Sequence, residues 1–112
     1  AFNHASDSIL LFERSGKLWR ANESSCRLLG YSKDEISTMS VFDINQEITP
    51  AIWDNMWELS EQEPEISRVI STHVRKDGTI IPVEVSRTFF TAGPMTLFCS
   101  IAREIREITA GQ

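Results

Sequence analysis

Two runs of β-branched and apolar residues lie on either side of the dipeptide Asp77-Gly78. The first run covers residues 66–74 and the second covers residues 79–89, and both are rich in valine, isoleucine and threonine. β-branched residues favour strands, and Asp-Gly fits the tight turn that connects two antiparallel strands. The sequence therefore predicts a β-hairpin here, and a further turn at residues 92–94 predicts a third strand over residues 95–105.

The first half of the chain combines a short hairpin pattern with several helix signals. Residues 8–13 and 18–21 are apolar runs around a turn that contains glycine, which predicts a first hairpin. Three short helices are expected between residues 22 and 44, with Asn22 as the first N-cap. Residues 50–63 carry apolar side chains at spacings of three and four, which predicts the longest helix. Strands grouped at both ends and helices between them indicate an α+β domain with an antiparallel sheet.

Composition restricts the class of protein. The chain has 112 residues, of which 41% are apolar, and this length suits a single domain over residues 1–112. Its net charge of −5 is spread along the sequence without a basic stripe, so neither nucleic acid nor direct membrane contact is expected. Cys26 and Cys99 are far apart and outside any metal-binding motif, which argues against a disulfide or a metal site and indicates a reducing, cytoplasmic location.

The sequence shows no catalytic motif. It contains no pair of carboxylates at a defined spacing, no Gly-rich phosphate loop and no Ser/His/Asp signature. We therefore predict no catalytic residue and no enzymatic activity for this domain.

Three separated phrases carry a resemblance to a known family. They are Asn-Glu-Ser-Ser-Cys-Arg-Leu-Leu-Gly-Tyr-Ser at residues 22–32, Arg-Lys-Asp-Gly-Thr-Ile-Ile-Pro-Val-Glu-Val at residues 75–85 and Ala-Arg-Glu-Ile at residues 102–105. Their order and spacing resemble those of a PAS sensory domain, and the resemblance covers essentially the whole chain. It implies the PAS fold, a five-stranded antiparallel sheet with short helices and one longer helix on one face.

The resemblance also implies a role for each end of the chain. Residues 1–7 resemble the remnant of an N-terminal cap helix, and residues 106–112 would begin a linker to an output domain. PAS domains commonly end their last strand with Asp-Ile-Thr, whereas this chain has Glu104-Ile105-Arg106 at that place. A second Arg-Glu-Ile-Thr follows at residues 106–109, so the residue at which the last strand ends is left open.

As a PAS domain, the chain is expected to be a signal-input module of a bacterial-type signalling protein. The resemblance implies that a small molecule or cofactor binds in the core pocket and that this shifts the last strand. The change would reach a C-terminal output domain in cis, either a histidine kinase or a diguanylate cyclase. The alternative is a ligand-free module for dimerisation or protein interaction.

Two familiar PAS cofactors find no matching residues in this sequence. Haem-binding relatives use a histidine on the long helix as the axial ligand, and residues 50–63 contain none. Flavin-photosensing relatives need a cysteine within Asn-Cys-Arg-Phe-Leu-Gln on a later helical segment, whereas Cys26 precedes Gly30 and belongs to the first helix. Haem and covalently bound flavin are therefore not expected, and the identity of any cofactor stays unknown.

Strand alternation, together with the strand phase of the family, assigns one face of the sheet to the pocket. His73 is the sharpest candidate, because flavin-binding relatives have a polar pocket residue at the matching position; the alternative is an ordinary strand histidine. On the long helix, the alternative for Met56, Trp53 and Trp57 is simple core packing. The predicted pocket residues are Met56, Val69, Ser71, His73, Val83, Val85, Phe98 and Ser100.

The opposite face of the sheet and the exit of the last strand complete the predicted sites. Leu97, Cys99 and Ile101 should point outward, and exposed apolar area of this kind needs a cover. That cover is either the N-terminal helix or the second subunit of a homodimer, and both alternatives stay open. The charged residues at the exit are candidates for signal coupling, the alternative being a solvated surface. They are Arg103, Glu104 and Arg106.

Overall fold

The computed structural model describes residues 2–3, 5–62 and 67–106, in which an antiparallel sheet packs against a layer of helices. Two strands, four helices and three strands follow one another in the order that the sequence predicts, which confirms the α+β class. The elements are β1 (Ser8–Phe12), β2 (Leu18–Ala21), α1 (Glu23–Leu29), α2 (Lys33–Ile36), α3 (Val41–Ile44), α4 (Pro50–Gln62), β3 (Ser67–Val74), β4 (Ile80–Ala92) and β5 (Met95–Glu104).

Local hydrogen bonds determine where the short helices begin and end. The Asn22 side-chain oxygen accepts a hydrogen bond from the Ser25 amide at 3.0 Å and caps α1. Gly30 ends α1 with a φ of 82°, a left-handed conformation that glycine adopts without steric penalty. Ser32 and Glu35 form a capping box at the start of α2, with N-to-O distances of 2.9 and 3.1 Å. The terminal backbone groups of these helices are thus satisfied by nearby residues.

The strands are ordered β2-β1-β5-β4-β3, and every neighbouring pair is antiparallel. β1 and β5 lie side by side although they come from opposite ends of the chain. β4 and β5 form the longest ladder, from the Val83 and Glu104 pair to the Ala92 and Met95 pair. Because β5 is the central strand, it contacts a neighbour on each side before the chain leaves the sheet.

The main core lies between the four helices and the inner face of the sheet. Trp53 and Trp57 of α4 are buried there and pack against Phe98 of β5. The Trp53 indole nitrogen also donates a hydrogen bond of 2.8 Å to the Arg14 carbonyl, in the turn after β1. Aromatic packing and this hydrogen bond together hold the long helix over the sheet.

The N-terminal segment does not form the predicted remnant of a helix, as far as it is described. Residues 2–3 lie in a turn and residues 5–7 have no helical turn. The Asn22 side-chain nitrogen donates hydrogen bonds to the carbonyls of Phe2 and Asp7, at 3.1 and 2.9 Å. A helix over residues 1–7 would pair the Phe2 carbonyl with the Ser6 amide, whereas here that carbonyl accepts a hydrogen bond from Asn22, so the described part of the segment has an irregular form beside α1.

The outer face of the sheet is less exposed than the sequence predicts. Leu97 is fully buried, Cys99 is 8% exposed and Ile101 is half-buried in the single chain. The prediction that they form an exposed apolar surface is therefore wrong for Leu97 and Cys99. Both lie in the central strand; Cys99 is flanked by the buried Leu11 of β1 and by Thr88 of β4, and Leu97 is paired with Phe90 of β4.

Parts of four predicted features lie outside the described residues. These parts are residues 1 and 4 of the predicted N-terminal remnant, Glu63 at the predicted end of the long helix, Ile66 at the start of the first hairpin run and residues 107–112 of the predicted linker. β5 ends at Glu104, one residue before its predicted end. In the part of the chain that is described, no helix has the length and apolar character needed to cross a membrane.

Candidate functional site

A cavity of about 230 Å³ lies between α4 and the inner face of the sheet. Residues of α3 and α4 form one wall, and residues of β3, β4 and β5 form the other. Most lining side chains are apolar, and a few polar groups converge on the space, which is the usual composition of a small-molecule site. Every predicted pocket residue except Val83 lines it: Met56, Val69, Ser71, His73, Val85, Phe98 and Ser100.

Val83 is the exception, and its assignment to the pocket is wrong. It is fully buried in a cluster with Ile81, Val85 and Ala102, and Leu28 of α1 packs against that cluster. Unlike Val85, Val83 does not reach the cavity. Strand alternation and the strand phase of the resembled family put Val83 on the inner face, but neither indicates which helix lies above it.

His73 is the buried titratable side chain of the cavity wall. It is 5% exposed, and its Nδ1 has no hydrogen-bond partner among the described residues. Burial disfavours the charged imidazolium and lowers the pKa of His73 to about 4. The ring is therefore neutral at pH 7, with one nitrogen able to donate and the other able to accept a hydrogen bond. A buried nitrogen without a partner is rare in folded proteins and marks a group that a bound molecule can complete.

Asn45 adds a second buried polar group that the sequence alone does not reveal. It follows α3, lines the cavity and is buried. Its side-chain nitrogen donates to the Ser71 hydroxyl at 2.8 Å, and its oxygen accepts from the Glu47 amide at 3.0 Å. These bonds join the end of α3 to β3 and orient Ser71 in the wall. A lone asparagine after a short helix is typical of an ordinary turn, so the sequence signal is weak.

Arg87 brings a positive charge to the cavity wall, and it too was absent from the predicted set. By strand alternation it shares the inner face of β4 with Val85, so continuing that face by two residues would have found it. Its Nε donates a hydrogen bond of 3.3 Å to the Ser67 hydroxyl. Burial lowers the pKa of the Arg87 guanidinium, yet an arginine keeps its charge at pH 7. Among the described residues, no carboxylate forms an ion pair with it.

Aromatic side chains form one side of the cavity. Trp53 and Phe98 line it, with their ring centroids 5.1 Å apart. Trp57 is not among the lining residues and packs edge-on against Phe89, at 4.7 Å between centroids. Core packing, the alternative considered from the sequence, therefore describes Trp57, whereas Trp53 serves both the core and the cavity wall.

Ion pairs surround the exit of β5, where coupling residues are predicted. Arg103 Nη2 lies 3.4 Å from Glu84 Oε1 on the neighbouring strand. Glu104 Oε1 lies 3.2 Å from Arg75 Nη2, and Arg75 Nε donates to the Leu28 carbonyl at 3.0 Å. Arg75 thus joins the turn between β3 and β4 to both α1 and the end of β5.

Pro82 marks the place where the ladder between β4 and β5 ends. Its carbonyl accepts a hydrogen bond of 3.0 Å from the Ile105 amide. A hydrogen-bonded antiparallel pair normally exchanges two such bonds, but proline has no amide hydrogen for the second. The pairing therefore ends here, and the next residue, Arg106, is exposed.

Both cysteines are free thiols. Burial raises the pKa of Cys26 and of Cys99, and for Cys26 the charges of Lys33 and Arg27 oppose that rise only in part. Both side chains are therefore protonated at pH 7. Within residues 2–3, 5–62 and 67–106, no group of three or more His, Cys, Asp or Glu side chains is placed to hold a metal ion.

Comparison with known proteins gives a family match and one curated relative. Residues 6–107 match the family model described as the PAS domain. A methyl sulfide methyltransferase-associated sensor from Methanosarcina acetivorans is 31% identical over 109 residues, which are 95% of this chain and 11% of that sensor. The chain therefore spans about a tenth of the length of this relative.

Two solved structures show the same arrangement of strands and helices. The PAS domain of an HTR-like protein from Haloarcula marismortui is 24% identical, with a TM-score of 0.82 over 93% of this chain and 90% of that chain. The PAS domain of a two-component sensor histidine kinase is also 24% identical, with a TM-score of 0.78 over 92% of this chain and 88% of that chain. Likeness at this level of identity concerns the fold alone, and it confirms the predicted five-stranded architecture.

Proposed function

The chain belongs to the PAS domain family, and from that premise we propose that it senses a small molecule in the cavity beneath α4. PAS domains are sensor modules of signalling proteins. A ligand that binds one of two arrangements of β5 more tightly would increase the population of that arrangement, and with it the matching activity state of the element coupled to β5. The coupled element would be a C-terminal output domain, a histidine kinase or a diguanylate cyclase. We place the protein in the cytoplasm, since its two cysteines are free thiols.

The observation that carries this proposal is an unpaired polar atom in the wall of the cavity. His73 Nδ1 is buried and has no partner among the described residues, although apolar Val69 and Val85 lie nearby in the same wall. Leaving a buried polar group without a hydrogen bond costs on the order of 1–3 kcal/mol. A domain that used this region for packing alone would be more stable with an apolar residue at position 73. A ligand with a polar group would instead supply the missing hydrogen-bond partner of His73 Nδ1.

β5 offers a route from the cavity to the output domain. Phe98 and Ser100 of this strand line the cavity, and Glu104 at its end is bonded to Arg75. Because β5 is the central strand, a shift on ligand binding would alter its ladders with β1 and β4 together. We therefore keep the exit residues as the proposed coupling elements, and add Arg75 to them.

Filling the cavity tests the sensing proposal. Ser100→Phe places a large ring where the ligand would bind, so in the full-length protein the output activity should become independent of the signal. Thr96→Phe, at an exposed position of the same strand, should leave the response intact. The activity is measured as autophosphorylation or cyclic dinucleotide synthesis, and circular dichroism checks that both variants fold. A folded Ser100→Phe protein with a normal response contradicts the proposal.

Homodimerisation without a ligand is the second candidate function, and exposed apolar residues on the outer face favour it. Ile70 and Ile80 are 67% and 59% exposed. If the outer face is a dimer interface, Ile70→Glu should produce monomers in sedimentation equilibrium, whereas Leu59→Glu on α4 should not. Leu97 is unsuitable for this test because a buried charge there would unfold the domain. Dimers that survive Ile70→Glu would count against this interface.

A further inference from the structure

We propose that the ligand is a small amphipathic monocarboxylate, whose carboxylate binds Arg87 and whose other end reaches His73. This inference rests on the proposed function, because it names the class of molecule that the cavity would hold. It is carried by the positions of two polar side chains in one apolar cavity.

Arg87 supplies the anion-binding end of the cavity. Its side chain is half-buried, and within the described part of the chain its hydrogen bond is to the Ser67 hydroxyl, 3.3 Å from Nε. That bond uses one of the five N–H donors of the guanidinium. A carboxylate can accept two of the remaining donors side by side, in the geometry that arginine and carboxylates favour. Such a pair would also compensate the partly desolvated positive charge.

The sheet register places Arg87 and His73 at opposite ends of the cavity. His73 is paired with Ile81, and Arg87 lies six residues further along β4 than Ile81. Six residues of strand span about 20 Å between Cα atoms, so the two residues lie toward opposite ends of the cavity, and their side chains and hydrogen bonds to the ligand take up part of that distance. The pair Val69 and Val85 lies between them in the same wall. A molecule that matches this order has a polar end, an apolar body and a second polar end.

The charges in the wall favour a monoanion over a phosphate. Among the described lining residues Arg87 is the one side chain with a permanent positive charge, and Glu47 lies away from it, beside the Thr72 hydroxyl at 3.4 Å. A phosphate group carries close to two charges at pH 7, whereas a carboxylate carries one and matches the planar guanidinium. The cavity volume of about 230 Å³ corresponds to roughly eight groups the size of a water molecule, at about 30 Å³ each. Hexanoate, with about eight non-hydrogen atoms, is a suitable probe of this size.

Isothermal titration calorimetry with hexanoate and hexanamide tests the charge requirement. The two probes have the same shape, but only hexanoate can form charge-assisted hydrogen bonds with Arg87. We expect hexanoate to bind about 10- to 100-fold more tightly, the range of a hydrogen bond to a charged group. Arg87→Gln should reduce this ratio to about 1 without weakening hexanamide binding. Arg68→Gln, which changes an exposed arginine of β3, should leave the ratio unchanged.

A third probe, 6-hydroxyhexanoate, tests the His73 end. Its hydroxyl can pair with the ring nitrogen, so it should bind about 2- to 10-fold more tightly than hexanoate, the range of a neutral hydrogen bond. His73→Phe should remove this gain while the preference for carboxylate over amide remains. A hydroxyl that gives no gain in the wild-type protein would overturn the assignment of this end.

The carboxylate proposal and the sensing proposal fail in different ways. If hexanoate and hexanamide bind equally well and Arg87→Gln changes neither, the carboxylate proposal is wrong and a small-molecule site still stands. Absence of binding by all three probes at millimolar concentration also overturns the carboxylate proposal, while the Ser100→Phe experiment decides the sensing proposal separately.

Glu63 and Glu65 lie outside the described residues, shortly before Ser67. A carboxylate preference that appears only in the Glu63→Gln, Glu65→Gln double variant would make them the counterions of Arg87 and refute the proposal.

Discussion

Burial of His73 should make the stability of the domain depend on pH. In the folded chain the pKa of His73 is about 4, whereas unfolding restores the ordinary value of 6.5. Between these values the unfolded state binds more protons than the folded state, so the free energy of unfolding rises with pH. The contribution is fully present above pH 6.5, is lost as the pH falls toward 4, and changes no further below that.

The magnitude follows from the two pKa values. The whole shift corresponds to about 3 kcal/mol, at about 1.4 kcal/mol per pKa unit. Lowering the pH from 7 to 5 should remove about 2 kcal/mol, because the unfolded histidine is then almost fully protonated and the folded one is not. Hydrogen bonds with Lys76 and Thr79 lower the pKa of Glu35 and of Asp77, respectively. The stability that these two carboxylates provide is lost only below about pH 4.5, and so outside the range from pH 7 to pH 5 in which the effect of His73 is measured.

Urea unfolding at pH 7, 6 and 5 measures this effect in the wild-type protein and in His73→Phe. The free energy of unfolding, obtained by linear extrapolation, should fall by about 2 kcal/mol more in the wild type than in the variant. The chain has two histidines, so His4→Gln is a control of the same residue type and should keep the wild-type dependence. An NMR titration of the His73 ring gives its pKa directly.

Parallel pH profiles for the wild type and His73→Phe would refute this account. A ring of His73 that titrates near its ordinary pKa in the folded protein would refute it as well. Either result would mean that the charged imidazolium is solvated in the folded state, and that the buried nitrogen does not have the energetic cost assigned to it.

Three further predictions concern the hydrogen bonds and turns that hold the sheet and helices together. Asn22→Ala removes five side-chain hydrogen bonds and should lower the free energy of unfolding, measured in urea, by about 3 kcal/mol. Asn55→Ala, at an exposed position, should change it by less than about 0.5 kcal/mol, and equal losses in the two variants would contradict the role of the Asn22 hydrogen bonds. Gly16 and Gly78 have φ angles of 92° and 89°, but only at Gly16 would a new Cβ meet a phenylalanine ring, at 3.0 Å. Gly16→Ala should therefore lower the melting temperature more than Gly78→Ala, and the reverse order would refute the packing account. Pro82→Ala supplies the missing amide hydrogen, so hydrogen–deuterium exchange of the backbone amides at the end of β5 should slow several-fold. An unchanged exchange rate would show that proline does not end the ladder between β4 and β5.

Local sequence signals were sufficient for the order of elements and for most of their limits. The cap at Asn22, the left-handed Gly30 and the turn at Asp77-Gly78 act through hydrogen bonds and backbone angles of adjacent residues, so a short window of sequence contains the cause. Strand alternation separated the two faces of β3 and β5, and the strand phase of the resembled family assigned one of them to the pocket. The remnant of an N-terminal helix was not predicted correctly, because long-range bonds from Asn22 hold that segment in another form.

The amino-acid sequence was enough for the fold class, which depends on local periodicity and turns, and the resemblance of its short motifs to PAS domains supplied the family and the inner face of the sheet. Packing of the helices on the sheet determines which part of that face becomes a cavity: His73 and Val85 line it, whereas Val83 lies in the cluster against which Leu28 of α1 packs. It also decided that Leu97 is buried and that Arg87 belongs to the cavity wall. Burial and hydrogen bonding of these side chains depend on elements far apart in the chain, whose relative placement is set by the packing of the whole domain and not by any local pattern.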